Sequence, residues 1–451
     1  MKTNHPRTVA YAFDAAFWVL VLVLVTAAPT LPIAATTFDV TTTADSGAGS
    51  LRQAIEDANA SSGIDTIQFA IPEVQCSAAG VCTIALMTAL PAITEGAVID
   101  GATQPRYGTA PSHVCATAGD PSYMRVLLSG PADVILQVSA AEPSTIQGLA
   151  FAGSIDTYGI YIKTYAVTLV QCNHFGLNGQ GTAGLDLSIG VCLACGGGGG
   201  NAIVGTDGDG ADDGAERNVF GTVGFAIYIN SGDENQPNTI AGNYLGFGAD
   251  GRTPMDLAVG VFMRQDAAQN LIGSDLDTIS DDLERNVIGN CTHGVWSTPW
   301  PDQTNVNHIV GNWIGLDRYG MPAPNEVGIR LDGDSPGQDV RHNQVLNNFY
   351  GIQIRASASI DPASGYNCLA HNVAALRHEG LAAAVFAEDN YWNAIDGPSG
   401  EGAGSGDAIE VTGAGSVDFD PWLTQPGAVC PFVFTDGFES GSISNWSLTV
   451  P

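Results

Sequence analysis

The decapeptides GNYLGFGADG (242–251) and GNWIGLDRYG (311–320) share a Gly-Asn pair, an aromatic residue, an aliphatic residue and two further glycines at matching positions. Two further segments recur at nearly the same distance. Asn201–Gly205 is followed 69 residues after its asparagine by the similar, one residue shorter Asn270–Gly273, and Glu216–Gly221 recurs 68 residues later as Glu284–Gly289. Self-similarity at a fixed period is typical of repeat architectures.

Short runs of the form Gly-apolar-x-apolar accompany these repeats. Each run alternates like a short strand with one buried face. Two runs fall in each repeat unit, so the unit is interpreted as two solenoid coils with loops. The closer spacings, from Gly159 to Gly184 and from Gly328 to Gly351, would be loop-free coils. Coils of this size predict an all-β fold, a parallel β-helix with three short strands per coil. The runs are Gly159–Ile162, Gly184–Leu187, Gly260–Met263, Gly328–Leu331 and Gly351–Ile354.

Coil stacking explains the repeated asparagines. Coils that stack about 4.8 Å apart place equivalent side chains directly above one another. An asparagine at a turn can then donate to the neighbour on one side and accept from the neighbour on the other. The repeats therefore predict a ladder of Asn218, Asn243, Asn286, Asn312 and Asn343.

Three parts of the chain resemble one known family. The first is FDVTTTADSGAGSLRQAIEDAN (38–59), and the second is the central set of Gly-Asn repeats. The third comprises Asn390–Trp392, Gly397–Gly400, Gly406-Asp407 and Val417–Leu423. Together they are similar to the bacterial right-handed parallel β-helix proteins of the pectate-lyase-like superfamily, over most of residues 36–423. This resemblance implies the fold and its handedness, not an activity.

Both ends of the predicted solenoid carry capping features. Ser50 and Gln53 stand at capping-box spacing, and an apolar stripe follows at Leu51, Ala54, Ile55 and Ala58, which predicts a short helix covering the first coil. Near the other end, Trp392 and Trp422 are interpreted as cap packing, with an exposed sugar platform as the alternative.

The two termini predict export. Residues 1–35 place Lys2 and Arg7 before an apolar run, Ala15 to Val25, as in a signal peptide. Asp14 at the edge of the run leaves an uncleaved anchor as the alternative. The tail 424–451 contains a segment, 434–447, that resembles a C-terminal tag of exported Gram-negative proteins. We therefore expect a signal peptide (1–35), the β-helix (36–423) and the tail (424–451), located outside the cell or on its outer surface.

The charge of the chain limits its partners. With 15 basic and 47 acidic residues, the formal net charge is −32, which disfavours binding to nucleic acid. After residue 35, no segment of the sequence is apolar enough to cross a membrane.

Nine cysteines in an exported chain predict disulfides with one thiol left over. Cys76 and Cys82 can close a small loop. Cys172 and Cys195 are separated by the length of a loop-free coil, so stacking predicts that Cys172 pairs with Cys195 or Cys192. The alternatives are a Cys192–Cys195 bond and a zinc site that adds His174.

Acidic loops are the first candidates for chemistry. Asp207, Asp209, Asp212 and Asp213 alternate with small residues and could bind calcium, although a solvated loop is the simpler interpretation. One repeat later come Asp275, Asp277, Asp281 and Asp282. Related polysaccharide hydrolases use clustered aspartates, so the resemblance makes the following pairs candidate catalytic residues: Asp212 with Asp213, and Asp281 with Asp282.

Two arginines are candidates for substrate binding. Arg330 and Arg355, separated by about one coil, could stack into a cationic strip for an acidic sugar. The Gly-His-Gly and Arg-x-Lys pieces of polygalacturonase-type enzymes are absent. Gly333–Gly337 matches a nucleophile elbow, but Pro336 lacks the oxyanion-hole N–H. The sequence therefore favours binding to extracellular glycans without turnover over two alternatives, a polysaccharide lyase or hydrolase and a purely structural envelope protein. It predicts no cofactor other than calcium.

Overall fold

Three parallel sheets surround one hydrophobic core in the computed structural model, which describes residues 35–116, 120–130, 133–196, 199–230, 236–299, 306–333, 337–380, 384–426 and 430. Residues 1–34 of the predicted signal peptide, the 434–447 segment and the centre of the elbow-like sequence, 334–336, lie outside these residues. Within them, no helix is long and apolar enough to cross a membrane.

Successive coils add strands to the three sheets, so the strands stack in chain order except for the last two of the third sheet. The first sheet runs Thr37–Val40, Asp65–Phe69, Ala97–Asp100, Ser144–Gln147, Thr168–Gln171, Ala202–Gly205, Thr239–Ala241, Leu271–Gly273, His308–Val310, Asp339–Arg341. The second runs Cys82–Ala85, Val126–Ser129, Leu149–Ala152, His174–Phe175, Val219–Phe220, Tyr244–Leu245, Val287–Ile288, Trp313–Ile314, Gln344–Leu346, Cys368–Ala370.

The third sheet is the widest and carries the longest strands. Its order is Val134–Val138, Tyr158–Ile162, Ile189–Leu193, Val223–Ile229, Leu257–Gln265, Cys291–Pro299, Val327–Leu331, Tyr350–Ala356, Ala374–Gly380, Gly406–Val411, Pro398–Gly400. Val385–Phe386 and Val417–Asp418 form a separate two-stranded sheet. The architecture is a right-handed parallel β-helix, as the repeats and the resemblance predicted.

The opening repeat is confirmed as two coils. Tyr244 pairs with Val287, which in turn pairs with Trp313, so the decapeptides at 242 and 311 lie on the same sheet, two coils apart. The Gly184–Leu187 run is a correction. It belongs to a loop in which Leu177 and Gly184 form an antiparallel bridge, and Gly159 instead lies level with Gly190, because Tyr158 pairs with Ile189 and Ile160 with Val191.

The helical cap is confirmed. The helix Leu51–Ala60 begins after Ser50, whose side chain accepts from the Gln53 N–H, and its buried residues are the predicted stripe. The remaining helical segments are Glu73–Gln75, Gly101–Thr103, Asp213–Ala215 and Asp281–Glu284. At the far end Trp392 is fully buried in the core and Trp422 packs against it, as cap packing requires.

Three ladders of buried side chains run along the turns. The longest joins Asn173, Asn218, Asn243, Asn286, Asn312, Asn343, Asn367 and Asn390, and it contains all five predicted asparagines. The second joins Asn238, Asn270, Asn307 and Gln338, and the third joins Asn325, Asn348, Asn372 and Asp407. Each amide satisfies backbone groups that would otherwise be buried without partners.

The disulfides correct one prediction. Cys76–Cys82 forms as expected, and Cys291 is the one free thiol. Cys172, however, pairs with Cys115, while Cys192 pairs with Cys195 and Cys368 with Cys430. The predicted crosslink between Cys172 and Cys192 or Cys195 is wrong because Cys172 lies between the first and second sheets, whereas Cys192 lies on the third. These bonds leave no thiolates for the zinc alternative.

Candidate functional site

The outer face of the third sheet carries a row of side chains in register across the coils. The row takes the outward x position of the Gly-apolar-x-apolar strands. It reads Gln137, Tyr161, Cys192, Tyr228, Phe262, Trp296, Arg330, Gln353, Arg377 and Glu410. From Tyr161 to Arg377 the row spans roughly 34 Å at the usual coil spacing.

Aromatic rings cluster in the middle of this row. The Phe262 centroid lies 5.1 Å from that of Tyr228 and 4.8 Å from that of Trp296, and Phe225 packs 5.3 Å from Phe262. Beside them is a 590 Å³ cavity with Tyr158, Tyr161 and Tyr228 among its lining residues. Phe225, Tyr228 and Trp296 are partly exposed, whereas Phe262 is buried among them. Partly exposed aromatic rings grouped at one place are typical of a binding surface.

A polar network continues the row next to Trp296. The Arg330 guanidinium lies 4.7 Å above the Trp296 ring, and its Nε donates to Asp332 at 2.8 Å. Trp296 Nε1 donates to the same Asp332 oxygen at 2.9 Å. Arg355 Nε lies 3.9 Å from Asp332 Oδ1 and 3.1 Å from Glu379. Arg330 and Arg355 therefore belong to one network together with the carboxylates of Asp332 and Glu379, and their role in substrate binding stays a prediction.

His293 completes the network as a neutral acceptor. Its ring stacks on Trp296 with centroids 4.8 Å apart, and its Nε2 lies 3.0 Å from Arg330 NH1. Because a guanidinium only donates, His293 Nε2 must accept, which leaves the proton on Nδ1. Burial, followed by the Arg330 charge, lowers the pKa of His293 below its ordinary value, in agreement with a neutral ring.

The acidic candidates lie elsewhere, in two loops that repeat each other. Asp207, Asp213 and Glu216 offer one oxygen each within 4.8 Å of one another, and so do Asp275, Asp281 and Glu284 in the second loop. Of the four ligands predicted from the sequence, the structure brings together Asp207 and Asp213. Glu216 and Glu284 were missed, although both open the Glu-Arg-Asn repeat that first indicated the solenoid.

The remaining acidic candidates stand apart from these clusters. Asp212 is exposed, Asp209 accepts from the Ala211 N–H at 2.8 Å, and Asp282 forms an ion pair with Arg285. Burial, followed by the repulsion of the neighbouring aspartates, raises the pKa of Glu216 and that of Glu284, while hydrogen bonds oppose this rise.

The catalytic candidates Asp213 and Asp281 support their own loops. Asp213 accepts from Thr206 Oγ1 at 2.8 Å and from the Gly210 N–H at 3.1 Å. Asp281 accepts from Ser274 Oγ at 3.1 Å. The loops also touch each other, since Ser280 Oγ donates to Asp213. A catalytic role for Asp212, Asp213, Asp281 or Asp282 stays a prediction.

Comparison with known proteins finds one distant structural likeness. No protein family and no curated protein matches the sequence. Among solved structures, the A-module of the mannuronan C-5 epimerase AlgE6 from Azotobacter vinelandii is similar, with a TM-score of 0.40 and 11% identity over 86% of this chain and 99% of that module. The three parallel sheets define the chain as a parallel β-helix protein, and at this level of likeness the comparison carries no further inference. Membership in the pectate-lyase-like superfamily stays a prediction.

Proposed function

We propose that the protein binds an extracellular polysaccharide on the outer face of its third sheet, without turning it over. The observation that carries this proposal is the aromatic cluster of Tyr228, Phe262 and Trp296, in register with the Arg330–Asp332 network. The flat apolar face of a sugar ring packs on such side chains, and its hydroxyl rim requires donors and acceptors close by.

The arrangement of charges fits a long polar ligand. Arg264, Arg330, Arg355 and Arg377 all lie on this face, in a chain with only 15 basic residues. Guanidinium groups retain donors after one ion pair is made, because each carries five N–H groups. The length of the row, roughly 34 Å, would accommodate several sugar units along the solenoid axis.

The carboxylates of the polar network are already hydrogen-bonded or ion-paired within the protein, which favours binding over catalysis. Asp332 accepts from Trp296 and Arg330, and Glu379 is paired with Arg355 and Arg377. A general acid or base needs a carboxyl group free to contact the substrate, whereas the oxygens of these two groups are already occupied by arginine and tryptophan donors. The lyase or hydrolase alternative predicts new reducing ends or unsaturated products when purified protein is incubated with polyuronates and neutral polysaccharides. Such turnover, abolished in Asp212→Asn or Asp281→Asn, would contradict the binding proposal.

Trp296→Ala is expected to weaken polysaccharide binding by about 2 kcal/mol, because it removes the ring on which His293 and Arg330 are stacked. Affinity electrophoresis in gels that contain each polysaccharide of the panel, followed by a glycan array, measures the effect. Tyr366→Ala is the matched control, since this half-exposed ring stacks on His342 and lies outside the third sheet. Equal binding by Trp296→Ala and the parent protein would remove this face from consideration. No binding to any glycan would favour the purely structural alternative.

The proposal includes calcium in the acidic loops. Calcium–oxygen distances of about 2.3–2.6 Å place two ligand atoms at most about 5 Å apart, so carboxylate oxygens within 4.8 Å of one another fit one ion. The ion would hold the loops 206–216 and 274–284 by neutralising their repelling carboxylates.

Millimolar calcium is therefore expected to raise the unfolding free energy by about 1–3 kcal/mol, as measured by thermal unfolding in calcium against EDTA. The Glu216→Gln, Glu284→Gln double variant should lose this increment, whereas Glu56→Gln on the exposed side of the capping helix should keep it. Identical melting of the parent protein in calcium and in EDTA would leave the solvated-loop interpretation. Magnesium tests selectivity for the larger ion.

The disulfides support an exported location. Four disulfide bonds link eight of the nine cysteines, and such bonds form and persist in oxidising compartments. We propose that the protein works outside the cell or on the outer surface of a Gram-negative bacterium. Fractionation with detection of a C-terminally tagged full chain would test this location.

A further inference from the structure

A second cavity, of 520 Å³, lies against the outer face of the second sheet. Its lining includes Arg217, Arg318, Tyr244, Ser122 and Asp212. Val219 and Tyr244 on its floor are paired strand residues of the second sheet. The cavity is therefore separate from the proposed polysaccharide face on the third sheet.

Arg217 is oriented by two contacts that leave much of its guanidinium unused. The group lies 4.3 Å from the centroid of the Tyr244 ring, and its Nε donates to the Gly242 carbonyl at 2.8 Å. Among the described residues, Arg217 forms no salt bridge. Its terminal nitrogens therefore provide the fork of N–H donors that matches a planar carboxylate.

Arg318 adds a second positive charge to the cavity. Its guanidinium stacks 4.8 Å from the Tyr319 centroid, and its backbone N–H donates to Gly251. Burial lowers the pKa of Arg217, and the charge of Arg318 lowers it further. The Arg318 charge also acts on the nearby Asp250, where it favours the ionised carboxylate.

Ser122 and three aspartates, Asp120, Asp212 and Asp213, also line the cavity. Ser122 Oγ lies 2.8 Å from Nε2 of the buried His174. Burial lowers the pKa of His174 to about 4, so its ring is neutral at neutral pH and the serine is held by an uncharged partner. Asp212 is an exposed acceptor on another wall. Asp213 also lines the cavity, but its carboxylate is already engaged by Thr206, Gly210 and Ser280.

We propose that this cavity binds a small polyhydroxylated carboxylate, of the chemical class of the sugar acids. Its carboxylate would bind Arg217 and Arg318, and its hydroxyl groups would bind Ser122 and Asp212. The volume of the cavity lies within the range of sites for small molecules. This inference is independent of the proposed polysaccharide face.

Isothermal titration of the full chain with sodium galacturonate, galactose and sodium sulfate, at constant ionic strength, tests the proposal. We expect saturable binding of galacturonate and none of galactose. Arg318→Gln and Arg217→Lys should each weaken galacturonate binding by about tenfold or more, the usual consequence of losing a charge-assisted hydrogen bond. Arg341→Gln is the control, because this residue pairs with Asp339 on the first sheet and should leave binding unchanged.

Three results would overturn the proposal. They are galacturonate binding no tighter than galactose binding, sulfate binding as tight as galacturonate binding, and full galacturonate affinity in both folded arginine variants. Thermal unfolding shows that each variant is folded before titration. Trp296→Ala must retain galacturonate binding. If it abolished that binding, the sugar acid would be bound at the third sheet and this cavity would not be its site.

Discussion

Asn286→Ala is expected to lower the free energy of unfolding by about 4 kcal/mol, a large share of the stability of an ordinary domain. Asn286 is fully buried in the middle of the longest ladder. Its Oδ1 accepts from the backbone N–H and the side chain of Asn243, and its Nδ2 donates to Ile240 O at 2.8 Å and to Asn312 Oδ1 at 3.0 Å. Alanine removes all four hydrogen bonds at once.

The cost is large because the lost partners cannot reach water. The Asn243 N–H and Asn312 Oδ1 would stay buried, and a buried polar group without its partner costs about 1–3 kcal/mol. Urea unfolding followed by circular dichroism measures the change. Asn201→Gly serves as the control, since its amide makes one long bond of 3.5 Å at the exposed surface and its backbone already has a positive φ of 68° that glycine tolerates. The control should cost less than about 1 kcal/mol.

If Asn286→Ala lowered the free energy of unfolding by less than about 1.5 kcal/mol, the strand pairing alone would hold the coils together and the ladder would contribute little to stability. If Asn286→Ala lowered it by about 4 kcal/mol, and the double variant with Asn312→Ala departed from the sum of the two single effects, the asparagines of the ladder would be energetically coupled. The two outcomes differ by more than the error of a urea extrapolation.

The ladder was predictable because its signal is local. An asparagine followed by an apolar dipeptide recurs along the coils, and Asn243, Asn286 and Asn312 occupy one geometric position. The same is true of the capping helix, where one turn of sequence contains both the Ser50 cap and the buried stripe. Repetition converts a three-dimensional contact into a sequence pattern.

The disulfides could not be assigned in this way. The spacing between Cys172 and Cys195 equals that of a loop-free coil, but the chain between them makes the excursion that contains Gly184. The coil here runs from Thr168 to its neighbour Ala202, so Cys195 is not above Cys172. The true partner, Cys115, lies in another excursion, between strands that end at Asp100 and begin at Val126. Loop lengths vary without a repeat, and sequence spacing therefore fails wherever a loop intervenes.

The aromatic face was missed although its signal was present. In Gly159–Ile162 and Gly260–Met263 the x position holds Tyr161 and Phe262, and that position is the outward one. The apolar positions of these runs predict the core. The candidate site lies at the variable x position between them. Arg330 occupies the x position of Gly328–Leu331, and Arg355 lies two residues after the x position of Gly351–Ile354, which is why both predicted arginines lie on the proposed face.

The inner face of the same repeat leads to a second large effect. Phe151, Phe175 and Phe220 form a stack inside the solenoid, with centroids 5.0 and 4.6 Å apart and rings within 8° of parallel. The glycines of the third sheet face this stack. A Cβ on Gly159 would lie 3.1 Å from the Phe175 ring, and one on Gly190 would lie 2.6 Å from the Phe220 ring. The repeated glycine thus makes room for the rings.

Phe175→Ala is accordingly expected to cost about 4 kcal/mol, because it opens a cavity between two rings that the rigid stack of coils cannot close. Phe175→Leu keeps most of the volume and should cost about 1–1.5 kcal/mol, which makes it the graded control. Urea unfolding measures both variants. If alanine and leucine cost the same small amount, the coils would be able to collapse onto the gap. In the expected case the difference of about 2.5–3 kcal/mol shows that the glycines on one sheet and the phenylalanines on the other are packed as one unit, and that a larger residue at Gly159 or Gly190 would be as damaging as a smaller one at Phe175.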